Sequence, residues 1–253
     1  MKQTDSTTEN LLRTLPEPLL GWYRENARDL PWRRTTDPYQ IWVSEIMLQQ
    51  TRVAAVLGYY ARFLETFPTV EALAAAPEER LMKLWEGLGY YSRARNLQRA
   101  ARQIMEEHGG IFPSTYEEIR ALSGVGDYTA GAISSIAFGI PVPAVDGNVL
   151  RVMTRLTDCH DDISDPKTKR AVRAALAEVM PEEPADIRIF NQAMMEQFHI
   201  RWLVTKDGGA AGGFDEKAAA ASAAGAQLVV IRRPPEQGET ASEVLKRCKE
   251  MIR

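Results

Sequence analysis

The eight residues SEIMLQQT at positions 44–51 place a carboxyl group, that of Glu45, in an otherwise apolar segment. Glu45 lies one helical turn from Ile41 and from Leu48, so apolar neighbours would raise its pKa and let it hold a proton near neutral pH. A carboxylic acid in that state can act as a general acid. The alternative is a solvated helix face, on which Glu45 simply points into water.

A second segment, LSGVGDYTAG at 122–131, has the pattern of a phosphate site. One helix ends, Gly124 and Gly126 make a tight turn, and a second helix starts among small residues. Such glycines let backbone N–H groups approach an anion, and the helix N-terminus adds the positive end of its dipole. The glycine pattern by itself favours an ordinary corner between two helices.

A third segment, VDGNVLRV at 145–152, opens an apolar helix after a proline-bounded loop. An aspartate or asparagine at a helix start accepts hydrogen bonds from the free N–H groups of the first turn. The residues alone therefore favour a capping role for Asp146 or Asn148.

The composition bounds the partners that these segments can have. The chain of 253 residues is 45% hydrophobic and 26% charged, which is typical of a globular protein with one sizeable core or two modest ones. Its net charge of −3 gives no global basic surface, so nucleic acid must be met by a local patch or by backbone amides. One basic stretch is more typical of a solvated helix face, and it comprises Lys83, Arg93, Arg95, Arg99 and Arg102.

The compartment expected from the sequence is the cytoplasm. The polar start MKQTDSTTEN lacks the apolar core of a secretory signal, and no run is long enough to cross a membrane. The two distant cysteines, Cys159 and Cys248, fit a reducing compartment and are too few for a thiolate metal site.

Hydrophobic periodicity predicts an all-α domain over residues 1–196, with a hairpin at about 115–138. Strand-like alternation is nearly absent there, and glycine or proline breakers separate the helical stretches. These stretches are 39–50, 53–66, 70–76, 79–86, 92–107, 115–122, 128–138, 147–157, 167–180 and 187–197.

Residues 197–253 have a different character and predict a short βαβ tail. Strands are expected at 202–205 and 227–231, with a glycine loop and an alanine-rich helix at 214–224 between them. A last helix is expected at about 240–252. Two parallel strands cannot make a stable sheet alone, and nothing upstream offers a third.

The motifs SEIMLQQT, GLGYYSRARNL, LSGVGDYTAGAI and VDGNVLRV occur in an order and at spacings that resemble the A/G-specific adenine DNA glycosylases. These enzymes belong to the helix-hairpin-helix superfamily of base-excision proteins. The resemblance runs from about residue 30 to residue 196 and implies a mainly α fold in two helical subdomains. It also implies hydrolysis of the bond between adenine and deoxyribose in DNA.

The resemblance implies the catalytic roles. Glu45 matches the acid that protonates the adenine, Asp146 matches the acid beside the sugar of the flipped nucleotide, and Tyr128 matches a tyrosine that assists at the same site. In relatives with strand-cutting lyase activity a lysine occupies the Tyr128 position, so a monofunctional glycosylase is expected. Protonation at N7 makes adenine a neutral leaving group, while an ionised Asp146 would face the positive charge that develops on the sugar.

The resemblance also implies the DNA contacts. The GVG turn would grip backbone phosphate, often with a bound monovalent cation, and Gln50, Thr51, Leu88 and Tyr90 would act at the position vacated by the flipped base. Gln192 and Arg33 would lie at the adenine. The expected partner of a monomeric protein is double-stranded DNA with an A·G or A·oxidised-G mispair. The implied binding residues are Arg33, Gln49, Gln50, Thr51, Leu88, Tyr90, Gly124, Val125, Gly126, Asn148 and Gln192.

The chain departs from the family pattern after residue 196. Relatives carry four spaced cysteines that hold a [4Fe-4S] cluster, whereas this sequence has two cysteines, so no cofactor is predicted. Residues from about 200 to 235 instead resemble the C-terminal end of precorrin-6A reductases. Two alternatives stay open: a cluster-less, poorly active DNA-binding protein, and a fragment of a tetrapyrrole-pathway NADPH oxidoreductase.

Overall fold

The computed structural model describes residues 12–196, 202–206 and 227–231. The first of these ranges is helical, with a short 3-10 turn at Pro31–Arg33. Its helices are α1 (Pro16–Asn26), α2 (Pro38–Leu48), α3 (Val53–Thr66), α4 (Val70–Ala74), α5 (Glu78–Trp85), α6 (Ser92–Glu107), α7 (Tyr116–Ala121), α8 (Asp127–Phe138), α9 (Gly147–Leu156), α10 (Pro166–Ala177) and α11 (Pro184–Glu196).

The mainly helical fold predicted from hydrophobic periodicity is confirmed. Each predicted stretch overlaps one of the helices α2 to α11, with ends that differ by up to three residues. Helix α1 was not predicted, because it starts at a proline and buries only a short apolar face formed by Leu19, Leu20 and Tyr23. Its position depends on packing against α11 rather than on a strong local pattern.

Side-chain caps fix where several helices begin. The Asp37 carboxylate accepts a hydrogen bond from the Tyr39 backbone N–H at 2.8 Å and so starts α2 at Pro38. Thr115 forms a capping box with Glu118 at the start of α7. Because each such cap contributes about 1 kcal/mol, the register of these helices is well defined.

Two hydrophobic cores divide the helices into two subdomains, as the resemblance implied. Helices α2 to α8 enclose the first core, where the rings of Phe63 and Trp85 meet edge to face at 6.0 Å between centroids. Helices α1 and α9 to α11 enclose the second core around Leu19, Met153 and Phe190. Each helix thus packs its buried face into one of the two cores.

Helix α8 of the first core is tied to α11 of the second. Asn191 on α11 donates from Nδ2 to the Ser135 Oγ at 2.7 Å and to the Val142 carbonyl at 2.9 Å, and its Oδ1 accepts from the Ala144 N–H at 3.0 Å. A Cβ at Gly131 would lie 2.8 Å from the Pro143 carbonyl oxygen. These contacts fix the segment that leads to Asp146 against the helix that carries Tyr128.

The turn between α7 and α8 places its two glycines in different environments. Gly124 has a φ of +76°, and a Cβ there would lie 2.6 Å from the Asn96 Cβ on α6. Gly126 has a φ of −94°, and a Cβ there would meet no atom within 4 Å. Gly124 is therefore required by the fold, whereas no neighbour among the described residues accounts for a glycine at 126.

The remaining described residues form two paired strands, β1 (Trp202–Lys206) and β2 (Gln227–Ile231). They are parallel, with Trp202 opposite Gln227 and Lys206 opposite Ile231. The chain divides into two compact units, Met1–Gln197 and Phe198–Arg253. The glycine loop, the helix predicted at 214–224 and the helix predicted at 240–252 lie outside the described residues.

No helix in the described ranges combines the length and the apolar character needed to cross a membrane.

The two glycines of the turn give a paired test of its role. Gly124→Ala should lower the melting temperature by several degrees, because alanine meets both a positive φ and the Asn96 side chain. Gly126→Ala should leave melting within about a degree, yet weaken binding to duplex DNA several-fold, because its methyl group would stand where the resemblance implies that a phosphate binds. Thermal unfolding and fluorescence anisotropy measure the two effects. Unchanged DNA binding by Gly126→Ala would make the turn an ordinary helix corner.

Candidate active site

Glu45 is buried on a helix that is enclosed on all sides. Helix α2 buries every residue from Ile41 to Met47, and the Glu45 residue is 7% exposed. The solvated helix face considered from the sequence is therefore excluded. Burial raises the pKa of Glu45 from its ordinary value of 4.5 to about 7, because the charged form is poorly solvated there.

Three neighbouring groups adjust this value. After burial, the largest influence is a hydrogen bond with the Tyr128 side chain, which lowers the pKa of Glu45. The positive charge of Arg33 also lowers it, and the negative charge of Asp146 raises it. The structure thus brings Tyr128, Asp146 and Arg33 within electrostatic reach of Glu45.

The Tyr128 hydroxyl has two partners. It donates to the Met195 Sδ at 2.8 Å and is also hydrogen-bonded to Glu45. A hydroxyl has one hydrogen, so it can donate to the thioether while Glu45 is protonated and to the carboxylate once Glu45 has lost its proton. Burial, followed by the charges of Glu45 and Asp146, raises the pKa of Tyr128 well above its ordinary value. Tyr128 therefore stays a neutral donor.

Asp146 caps α9, as the residues alone had favoured. Its Oδ1 accepts from the backbone N–H groups of Asn148 at 2.9 Å and Val149 at 2.8 Å, and its Oδ2 accepts from the Asn148 Nδ2 at 3.1 Å. Three N–H donors suit a carboxylate acceptor. Capping and an electrostatic role are compatible, because the cap holds the half-buried carboxylate in one orientation near Glu45.

Gln192 takes part in a buried network that involves α1. The Tyr23 hydroxyl donates to the Gln192 Oε1 at 2.8 Å, and the Gln192 Nε2 donates to the Arg188 carbonyl at 3.1 Å. The guanidinium of Arg33 lies 5.4 Å from the centre of the Tyr23 ring. Tyr23 was missed from the sequence because it lies on the unpredicted helix and is 169 residues away from Gln192.

Two loops carry the residues expected at the vacated position. Gln50, with a φ of 56°, and Tyr90, with a φ of 47°, both adopt left-handed backbone and are exposed, Tyr90 by 63%. Leu88 is buried in the first core, and Gln49 donates from Nε2 to the Thr129 Oγ1 at 3.4 Å. DNA contacts by these residues and by Thr51 stay predictions.

Arg93 corrects the interpretation of the basic stretch as one solvated face. Its side chain is buried, whereas Lys83, Arg95, Arg99 and Arg102 are exposed. Sequence reasoning missed this residue because hydrophobic periodicity treats arginine as polar, whereas backbone carbonyls can hold a guanidinium inside a protein.

The hairpin turn carries an acid whose charge is balanced. Asp127, the first residue of α8, is ion-paired with Arg120, and Arg173 Nη1 lies 3.8 Å from its other oxygen. The hydrogen bond with Arg120 is the main cause that lowers the pKa of Asp127. Gly124 and Gly126 are exposed, Val125 is buried, and the Arg120 Nη1 donates to the Val125 carbonyl at 3.0 Å.

Thiolate ligands are few, since the sequence has two cysteines. No group of three or more His, Cys, Asp or Glu side chains in the described ranges is arranged to hold a metal ion. The two cysteines of the whole sequence, Cys159 and Cys248, cannot supply the four thiolates of an iron–sulfur cluster. The cysteines of this chain therefore do not fit that cluster.

Two family models match the sequence. The model described as "HhH-GPD superfamily base excision DNA repair protein" covers residues 43–182, which is more than half of the chain. The model described as "Precorrin-6x reductase CbiJ/CobK" covers residues 151–249. The second match begins within α9, well before the tail region that carried the resemblance in the sequence.

Several adenine DNA glycosylases are similar to this chain. The human protein is 46% identical over 188 residues, which cover 70% of this chain and 34% of the human one. The Arabidopsis thaliana protein is 39% identical over 219 residues, covering 76% and 34%. The Schizosaccharomyces pombe protein is 37% identical over 212 residues, covering 76% and 45%. The chain thus spans about a third to a half of the length of these curated relatives.

Solved structures with this fold include base-excision enzymes. A thermostable thymine-DNA glycosylase superposes with a TM-score of 0.67 at 27% identity, over 76% of this chain and 87% of that one. A non-covalent endonuclease III–DNA complex superposes with a TM-score of 0.62 at 26% identity, over 76% of this chain and 86% of the endonuclease chain. Together with the family model over residues 43–182, these similarities show that the chain belongs to the HhH-GPD superfamily of base excision DNA repair proteins.

Proposed function

We propose that this chain is a monofunctional DNA glycosylase that hydrolyses the bond between adenine and deoxyribose where adenine is mispaired with guanine or oxidised guanine. The observation that carries the proposal is the buried Glu45, whose pKa is raised to about 7 beside Tyr128 and Asp146. An acid of this kind is half protonated near neutral pH and can both give up and regain a proton. The 46% identical human relative is named adenine DNA glycosylase, which supports the choice of base.

The chemical step uses the two carboxyl groups in opposite states. Glu45 donates its proton to N7 of the extruded adenine, the C1′–N9 bond breaks, and its electron pair leaves with the now neutral base. The Asp146 carboxylate faces the sugar as positive charge develops there. Water then adds to C1′ and releases a proton that restores Glu45, so the reaction consumes one water molecule and needs no redox cofactor.

Tyr128 stabilises Glu45 after this residue has given up its proton. Its hydrogen bond favours ionised Glu45, which lowers the barrier to giving the proton away. A tyrosine kept neutral by burial cannot form the covalent imine that a lysine nucleophile would form with the sugar. The residue at position 128 therefore supports release of the base without strand cleavage.

The proposed partner is double-stranded DNA that contains the A·G or A·oxidised-G mispair. The first turn of α8 leaves backbone N–H groups without partners inside the helix, and these would bind a phosphate, with a monovalent cation at the GVG turn as part of the proposal. Arg120 and Arg173 offset the acid at the start of the same helix. A monomeric state and a cytoplasmic location belong to the same proposal.

A second candidate is a DNA-binding protein with little turnover. It is favoured by the cysteine count, because two cysteines cannot hold the cluster carried by relatives. DNA binding that falls steeply with salt, without release of adenine, would support this candidate over the glycosylase.

Substitution of the proposed proton donor tests the function. The full chain should release adenine from an A·oxidised-G duplex, and Glu45→Gln should lower the single-turnover rate by about 100-fold or more, because the amide cannot supply the proton. Glu65→Gln, at an exposed site on α3, is the matched control and should keep the parent rate. Chromatographic detection of free adenine measures both. Adenine release by Glu45→Gln at the parent rate would refute the assignment.

The pH dependence tests the contact between Glu45 and Tyr128. Because Glu45 must be protonated, kcat/KM should fall as the pH rises through about 7. Tyr128→Phe removes a hydrogen bond that favours the ionised form of Glu45, so the pKa of Glu45 rises. The fall in kcat/KM at alkaline pH should then occur at a pH about one unit higher.

A matched control for this shift is Tyr39→Phe, which removes a buried hydroxyl that donates to the Phe67 carbonyl at 2.7 Å. Its pH profile should coincide with that of the parent. If kcat/KM of Tyr128→Phe falls at the same pH as that of the parent, or at a lower pH, the proposed contact is contradicted.

A further inference from the structure

We infer that Arg93 is a positioning residue that joins the loops at 49–51 and 88–90, so that Gln50 and Tyr90 enter the DNA as one unit. The inference rests on the proposed function, because the two residues act at a base pair that is being opened. It concerns how the gap in the duplex is filled and leaves the chemistry at Glu45 untouched.

One half of the guanidinium closes the end of α2. Arg93 Nη1 donates to the carbonyls of Ile46 at 2.8 Å, Met47 at 3.0 Å and Gln49 at 2.6 Å. The last carbonyls of a helix have no partner within that helix, and they carry the negative end of its dipole. Arg93 therefore supplies both the missing donors and a positive charge at the point where the chain turns into Gln50.

The other half holds the second loop. Arg93 Nη2 donates to the carbonyls of Leu88 at 3.0 Å and Gly89 at 3.3 Å, and to the Thr51 Oγ1 at 3.3 Å. The guanidinium carbon also lies 5.7 Å from the centre of the Tyr90 ring. A single planar group thus contacts both loops, and no hydrogen bond needs to run directly between them.

The two exposed residues have strained backbone that needs such support. Gln50 and Tyr90 both have a positive φ, at 56° and 47°, which non-glycine residues rarely adopt. Such conformations persist when surrounding contacts determine them, and they concentrate at ligand-contacting sites. Arg93 bonds the carbonyls immediately before each of these residues, those of Gln49 and Gly89.

The burial of Arg93 shows that packing alone does not explain it. The residue is 9% exposed, and its Nε has no hydrogen-bond partner among the described residues. Burying a guanidinium is unfavourable unless its hydrogen bonds compensate, and an apolar side chain would fill the same space without that penalty. The planar fork of arginine suits two sets of carbonyls, which a lysine ammonium cannot match.

Rigid presentation of the two residues would assist base extrusion. An enzyme that flips a nucleotide must fill the vacated position with side chains before the duplex closes again. Loops that are already ordered lose little conformational freedom on binding. Loss of Arg93 should therefore slow opening of the base pair while leaving proton transfer to an already extruded adenine unchanged.

The test compares two substrates of the full-length chain. Single-turnover release of adenine is measured on an A·oxidised-G duplex and on a duplex in which the adenine is an unpaired bulge. Arg93→Lys and Arg93→Gln should be slower than the parent by about tenfold or more on the paired substrate, and within about twofold on the bulge. The matched control is Arg95→Gln, at an exposed position whose Nε donates to the Glu78 Oε1 at 2.8 Å, and it should match the parent on both substrates.

Each outcome either supports or overturns the positioning role of Arg93. An equal loss on both substrates overturns the inference, and so does unfolding of both Arg93 variants, because Arg93 would then only stabilise the core. If the parent releases no adenine from either substrate, the proposed function fails. The inference is then judged by the fluorescence rise of 2-aminopurine placed at the adenine position: a smaller rise with Arg93→Lys supports it, and an equal rise overturns it.

Discussion

The exclusion of water from one carboxyl group, that of Glu45, is the constraint on which the other features of this protein depend. A helix enclosed on every side holds the acid away from solvent and raises its pKa to about 7. This placement opposes folding. Between pH 4.5 and pH 7 the unfolded chain has released the proton that the folded chain keeps, so stability falls as the pH rises, by up to about 1.4 kcal/mol per pH unit. The first core must compensate for the burial of this group, which the proposed function uses as its proton donor.

The architecture supplies the opposite environment for the second carboxyl group. Asp146 lies at the start of α9, where its carboxyl oxygens accept hydrogen bonds from three N–H donors. The helix cap that the residues alone favoured and the electrostatic role implied by the resemblance use the same atoms. Glycoside hydrolysis uses two carboxyl groups in different environments, and here Glu45 is buried whereas Asp146 is half-buried and hydrogen-bonded to three N–H donors. Asn191 links the elements that carry Tyr128 and Asp146, so the two sites keep a fixed relation.

Much of the helical domain could be predicted from the sequence, because breakers and a helical period of apolar residues mark α2 to α11 directly. Helix α1 could not be predicted, since it has few apolar residues and is held in place by packing against α11. Burial of Glu45 was undecided, because a helix that is apolar on most sides shows no preferred face. Arg93 and Tyr23 were missed for a related reason. Arg93 binds backbone carbonyls, and Tyr23 binds a residue 169 positions away in the sequence. Neither kind of contact produces a local sequence pattern.

The proposed function requires that Glu45 keep its proton up to about pH 7, and titration of this one carboxyl group measures whether it does. The carboxyl carbons can be labelled with carbon-13 in glutamate and followed by NMR from pH 4 to pH 9, with the Glu45→Gln protein identifying the signal. A midpoint at about pH 7 is expected. A midpoint near the ordinary value of 4.5 would contradict it, because the group would then have no proton to give to the base.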